Sequence, residues 1–418
     1  LLRSSGARMA GTDISTSTAT TTVIVIDNDS PDNVDELGVK WRFRTIPSYR
    51  YWNNVIYASS TFIAVAGSQD ANGVMTSSDG ITWTKRTTPF GAWSSVAYGS
   101  STFVAVSSSG YYNSVMTSVN GGVTWVAQAP AADSSWRGIT YGKGLFVAVA
   151  CGTENTGTCD TTSGTRIMTS PYGIVWTPRT AVTDNEWGAI TYGNGLFVAV
   201  ANNNYGTPAN RIMTSPDGIN WTASLSTDTG SWASVTYGNG LFVAVGTAYS
   251  GYGNNVLTSI DGMNWTVRNS GTNSDWAEIT YGSGLFSAVS ASSGEANQVI
   301  TSPDGINWTS RASRVLDASY ANWFTVGYGS STFVALAYEL NPTSLLTSRG
   351  PIVTSASTSI SITFTTPDDS DISTTTIFRS ISPITDIPVE GTSYATGTAL
   401  GATNAACSFR VTASSTRT

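Results

Sequence analysis

Apolar residues in this chain fall into short runs closed by Gly, Asn, Ser or Pro, and one stretch shows the scheme. "AITYG" (189–193) alternates with the period of a strand. An Asn-Gly pair follows it, a strong hairpin signal. "LFVAVA" (196–201) is apolar enough to be covered on both faces. After a variable stretch comes "RIMTS" (211–215), then the turn "PDG", then "NWTAS" (220–224). The pattern predicts four antiparallel strands in about 45 residues.

The unit repeats, and the fourteen tryptophans measure it. Trp52, Trp93, Trp136, Trp187, Trp232, Trp276 and Trp323 each open a W-x-x-(V/I)-x-Y phrase at spacings of 41 to 51 residues. Trp41, Trp83, Trp125, Trp176, Trp221, Trp265 and Trp308 each follow a DG-x-x turn or a variant of it. Four strands recurring at this period make the blades of a β-propeller. The last unit stops after "SLLTSRG" (344–350) without its own turn and tryptophan, whereas "ELGVKWRFRTIPSYRYW" (36–52) aligns with "SDGITWTKRTTPFGAW" (78–93). Residues around Trp41 are therefore expected to supply the outer strand of a seventh blade and close the ring. The predicted fold is all-β: a seven-bladed propeller over residues 36–350 closed by an N-terminal strand, with a small sandwich-like module at 351–418.

The turn "TSPDGINWT" (214–222, again at 301–309) and its copies resemble the Asp-box of sialidase-like propellers, "SVNGGVTW" (118–125) most closely. Most copies are one residue shorter than that pattern. The resemblance covers 36–350 and implies a fold rather than a function, with the turn at the blade periphery, away from the ligand face. Asp79, Asp217, Asp261 and Asp304, with Asn120 in one copy, are read as acceptors of backbone amides while Gly takes positive φ. Tyr172 stands at that position in "SPYGIVW", which a turn tolerates and a catalytic or metal-binding acid would not.

The stretches after each second strand differ from blade to blade. Scaffolded loops of this kind carry function more often than strands do. They hold Tyr among Ser, Gly and Asn, the composition of adaptable recognition surfaces. Tyr111, Tyr112, Tyr205, Tyr249, Tyr252 and Tyr338 are the candidate anchors for a glycan or protein. Packing against sister subunits, or no role beyond solvation, are the alternatives.

Composition narrows the function. Only 11% of residues are charged and the net charge is −7, with no Lys/Arg cluster, so nucleic acid is not expected as a partner. No apolar run has the length of a membrane span. The chain has no histidine, which removes Ser-His-Asp and Cys-His catalysis and His-ligated zinc. A sialidase-type site would need three converging arginines. Arg137 lies on a predicted innermost strand with Glu278 at the adjacent place in another blade, but Arg166, Arg211 and Arg179 are expected towards the rim. A non-enzymatic protein is predicted, with glycosidase activity as a distant third reading. Cys151 and Cys159 lie eight apart and suit a local disulfide in an oxidising compartment, or are two free thiols; Cys407 is left over. No cofactor is expected, although Asp27 and Asp29 could offer oxygens to calcium or form a solvated strand end. Asn28, Asn220, Asn264 and Asn307 are formal N-glycosylation sequons.

The flanks, 1–35 and 351–418, are Ser/Thr-rich. "TTTVIVIDNDSPD" (20–32) looks like the closing strand of a Calx-β domain, and 351–380 resembles the opening strands of a fibronectin type III or Ig-like sandwich. The opening "LLRSSGARMA" reads as a piece of a longer polypeptide. The N-terminal strand is expected to complete the partial sandwich of the next subunit by strand addition, or to close it within the chain. The functional expectation is a structural or adhesive subunit of an extracellular filament, appendage or virion fibre. The alternative is a glycan- or protein-binding module of a larger secreted adhesin.

Overall fold

The computed structural model describes most of residues 37–349, with five short strands outside that span. Outside the description lie 1–13, 16–36, 40, 48–49, 68–70, 110–113, 153–164, 203–210, 225–229, 248–254, 273, 293–297, 312–321, 340–344, 350–365, 368–373, 380–398, 401–404 and 413–418. The described residues form an all-β seven-bladed propeller. The chain divides into two compact units, 35–352 and 1–34 with 353–418.

The innermost strands of blades 1 to 7 are Arg50–Ala58, Trp93–Gly99, Trp136–Gly142, Trp187–Gly193, Ser231–Gly238, Trp276–Gly282 and Trp323–Gly329. In blades 1 to 6 three further strands follow each antiparallel, as in blade 4 with Leu196–Ala201, Ile212–Ser215 and Thr222–Ala223. The inner strand there starts two residues before the predicted one, at Trp187, because the indole is part of the core. Asn194 and Gly195 take positive φ between the first two strands, the conformation a two-residue hairpin needs.

Each inner-strand tryptophan is at most 2% exposed. These rings lie in clusters that draw residues from two neighbouring blades, such as Trp52 and Phe62 with Val334 and Leu336. The tyrosine of each W-x-x-(V/I)-x-Y phrase packs on the phenylalanine of the next strand, as Tyr192 does on Phe197 at 4.7 Å. Tyr237 also lies over Gly193 of the preceding blade, where a Cβ would come within 2.1 Å of its Cγ. The Tyr-Gly phrase is thus an inter-blade joint.

The ring closes as the sequence predicts. Arg42–Arg44 pairs with Leu345–Arg349 as the outer strand of blade 7. A second link was not foreseen: Tyr338 and Glu339 pair with Tyr51 and Arg50 of blade 1. Tyr338, expected in a loop, therefore belongs to the strand Thr332–Glu339.

In the other unit, Ile14–Ser15 pairs with Thr366–Pro367 of the same chain, and Thr374–Arg379, Ala405–Thr412 and Ala399–Leu400 form a three-stranded sheet. Residues 20–32, with Asp27, Asn28 and Asp29, lie outside the described residues.

Candidate ligand-binding face

The two ends of the propeller are built differently. At one end, first-to-second-strand hairpins meet the Ser-x-Asp-Gly turns of the following blade. Ser100 donates to the Pro171 carbonyl, and Lys143 Nζ to the Pro216 carbonyl at 2.9 Å. In blade 1, Asp79 Oδ1 accepts the Ser77 hydroxyl at 2.9 Å and the amides of Ile81 and Thr82 at 2.8 Å each. Gly80 donates to Ser77 Oγ, and Trp83 Nε1 donates to the Gly80 carbonyl. Asp217, Asp261 and Asp304 repeat the arrangement and also accept Asn220, Asn264 and Asn307 side chains. Their carboxyls are held well below the usual carboxylate range, first by the amides of those same asparagines. Burial pushes Asp79 up, but the amides of Thr82 and Ile81 and the Ser77 hydroxyl outweigh it, so Asp79 is lowered too. Blade 3 keeps the frame without the acid: Gly173 still donates to Ser170 Oγ and Trp176 to the Gly173 carbonyl. Oδ1 of each acid is used in making the turn, and in Asp217, Asp261 and Asp304 so is Oδ2.

The opposite end holds the candidate site. A cavity of about 720 Å³ on the propeller axis is lined by the starts of the inner strands and by residues just past the second strands, among them Gly67, Ser108 and Asn202. The variable loops leave from this end. Tyr111, Tyr112, Tyr205, Tyr249 and Tyr252 lie outside the described residues. Cys151 lines the cavity and is disulfide-bonded; its expected partner, Cys159, lies outside the description.

Two side-chain rings surround the axis, and neither was legible as such. The first comes from a β-bulge just after the tryptophan in all seven inner strands, shown by the register shift from Trp52 to Asn54 and its six counterparts. A bulge re-aims the extra residue. The seven extra residues are Asn53, Ser94, Arg137, Gly188, Ala233, Ala277 and Phe324, and all seven line the cavity. Their variation is the signal in the sequence: a freely varying position inside an otherwise repeated phrase.

The second ring lies one residue further along. Asn54, Ser95, Ser234, Glu278 and Thr325 each accept the backbone amide of the next blade, from Val96, Ile139, Ile279, Val326 and Val55 respectively. Gly138 and Ala189 take this place in blades 3 and 4, where a Cβ on Gly138 would sit 3.1 Å from Ala189 Cα. Glu278 does more than its counterparts: Oε1 accepts Asn54 Nδ2 at 2.8 Å and Oε2 the Val326 amide at 3.0 Å. It joins blade 6 to blades 7 and 1 across the ring closure. Burial pushes it up to about 7, against the opposing bonds from Thr325, Val326 and Asn54.

Arg137 Nε lies 3.3 Å from Cys151 Sγ. Glu186, just before Trp187, is raised by burial, an effect opposed by the charges of Arg137 and Arg166. Arg166 is 1% exposed, so it is an interior residue near this group rather than a rim residue. Arg211 is likewise buried, whereas Arg179 Nε donates to Thr169 on the outer sheet. Arg137 is the arginine lining the cavity among the described residues. Among those residues no three His, Cys, Asp or Glu side chains converge as a metal site requires, and no helix is long and apolar enough to cross a membrane.

No protein-family model and no curated protein matches the chain. Solved structures do match. The chain is similar to YCF48 bound to D1 peptide, with a TM-score of 0.53 at 14% identity over 75% of this chain and 98% of the other. YCF48 from Cyanidioschyzon merolae matches with a TM-score of 0.53 at 13% identity, over 75% and 99% of the two chains. The extracellular domain assigned to a one component system of B. thetaiotaomicron, BT4673, matches with a TM-score of 0.51 at 10% identity, over 75% of this chain and 42% of that one. At these identities the likeness is one of fold.

Proposed function

We propose that this protein is a non-enzymatic recognition module that binds a segment of a partner polypeptide at the axial cavity and the loops around it. The bulge ring carries the reading. Seven bulge residues, six of them with a side chain, line one cavity, and they differ from blade to blade while the strands around them repeat. A cavity of this size suits a small ligand or the anchoring side chains of a larger one. The similar propeller with a bound peptide supports polypeptide as the class of ligand. A single cavity-lining arginine among the described residues, in a chain without histidine, supports binding over hydrolysis.

The hydrogen-bond frame of the turns supports placing the repeat among Asp-box propellers. The disulfide at Cys151 supports an oxidising compartment, hence display outside the cell, as an adhesive subunit or as a module of a larger adhesin. Selection of a random displayed-peptide library on the full chain tests the central reading. Enrichment on the native protein, lost when Ala277→Trp fills the bulge ring, is the expected result. Enrichment unchanged by Ala277→Trp would contradict it, as would no enrichment beside clear retention on a glycan array.

A further inference from the structure

The electrostatics of the cavity name the side chain it suits. Among the described residues its lining carries three carboxyl groups, Glu186, Asp275 and Glu278, and one cation, Arg137, for a formal −2 with all four ionised. Arg137 and Glu186 attract each other across blades 3 and 4. Asp275 and Glu278 remain, the first just before the blade 6 inner strand and the second within it, on either side of the bulge residue Ala277. Ala277 presents only a methyl to the cavity. Phe324, the bulge residue of blade 7, is 37% exposed and lines the same cavity. It is next to Thr325 and two residues from Val326, both of which bond Glu278. Carboxylates facing a low-dielectric recess focus the field within it, and an aromatic face adds attraction for an organic cation. The acids do not converge on one point as metal ligands do, so the field suits an extended cation.

We propose that the blade 6–7 side of the axial cavity seats a lysine or arginine side chain of the bound polypeptide, with Asp275 and Glu278 as its counter-charges and Phe324 against its stem. The inference rests on the polypeptide-binding reading and specifies its anchor. The ordinary cost of keeping Glu278 charged at depth falls when a cation sits beside it. Seating the cation therefore releases a proton from Glu278, and affinity rises with pH through neutrality. Asp275, Glu186 and Arg137 are the other titratable groups facing the cavity among the described residues.

The test uses the full chain and two small probes, Nα-acetyl-lysine N-methylamide and its norleucine counterpart, titrated by calorimetry or by NMR. The lysine probe binds at least about tenfold more tightly than the norleucine probe, an advantage that about 0.5 M salt largely removes. Asp275→Asn, at the exposed rim and outside the closure network, weakens the lysine probe about three- to tenfold and leaves norleucine unchanged. Glu278→Gln weakens it too and removes the rise with pH. Equal binding of the two probes, no binding of either, or no response to Asp275→Asn would overturn the assignment. If peptide selection enriches cavity-dependent sequences without Lys or Arg, the anchor is wrong while the polypeptide reading stands. A library with no enrichment at all removes that reading instead.

Discussion

Gly38 donates its amide to the Ser348 hydroxyl at 2.7 Å across 310 positions of sequence. Trp41 Nε1 then donates to the Gly38 carbonyl, and Arg44 Nε to Thr347 Oγ1. Blade 1 makes the same contacts locally, through Gly80 with Ser77, Trp83 with Gly80, and Arg86 with Thr76. The seventh turn is thus the repeated turn rebuilt from the two ends of the ring, with Leu37 where the acid would stand. Ser348→Ala leaves a buried amide unsatisfied and is expected to cost about 1–3 kcal/mol. Deleting residues 36–44 bares the edge of blade 7 and is expected to bring aggregation as well as a lower unfolding midpoint. Denaturant titration with light scattering checks both.

Tyr172→Asp is expected to stabilise blade 3. The turn there keeps its Ser170 and Gly173 bonds but has no carboxylate for the amides of Ile174 and Val175. Supplying one as in blade 4 should add about 0.5–1.5 kcal/mol, read as a raised melting temperature. No change would mean that the acid contributes nothing to the turn.

Two windows of pH dependence follow from the two kinds of carboxyl group. The turn aspartates are depressed in the folded state, so their contribution is present above the unfolded value, about 4, and is lost as the pH falls further. Glu278 is raised to about 7, so its contribution is present below the unfolded value, about 4.5, and is lost as the pH rises towards 7. Denaturation midpoints of the native chain should fall relative to Glu278→Gln between those values. Parallel curves would show that Glu278 is not raised in the folded state.

Ser60, Ser101 and Ser331 sit at φ of 58°, 59° and 56°, where Gly144, Gly195, Gly240 and Gly284 stand in blades 3 to 6. Glycine removes the steric cost of this conformation, so each Ser→Gly is expected to stabilise by about 0.5–1 kcal/mol. Calorimetry of the triple variant should show the three increments adding.

Blade number and ring closure were legible because each rests on residues that recur: two tryptophans and a Ser-Gly turn per blade, with a Tyr-Gly joint in six of the seven. The closure could be found because the Gly-x-x-Trp half of the missing turn stands before Trp52, as Gly38 and Trp41. The candidate site was legible only in part. Arg137 and Glu278 stood out as charges on apolar strands, but a bulge leaves no mark on residue spacing, so their different aims could not be read. Ser95, Ser234 and Thr325 look like ordinary strand residues until the next blade's amide is placed against them. Tyr338 was misplaced because "AYEL" carries no turn signal at its start; pairing with Tyr51, distant in sequence, extends the strand.

Which end of the propeller binds is the central question, and hydrogen–deuterium exchange of the full chain with a selected peptide addresses it most directly. Recognition at the axial cavity predicts slowed exchange at Asn53–Asn54, Ser94–Ser95, Arg137, Glu186–Gly188 and Ala277–Glu278, with the turns at 216–220, 260–264 and 303–307 unchanged. Protection of those turns, with the inner-strand starts unaffected, would contradict it.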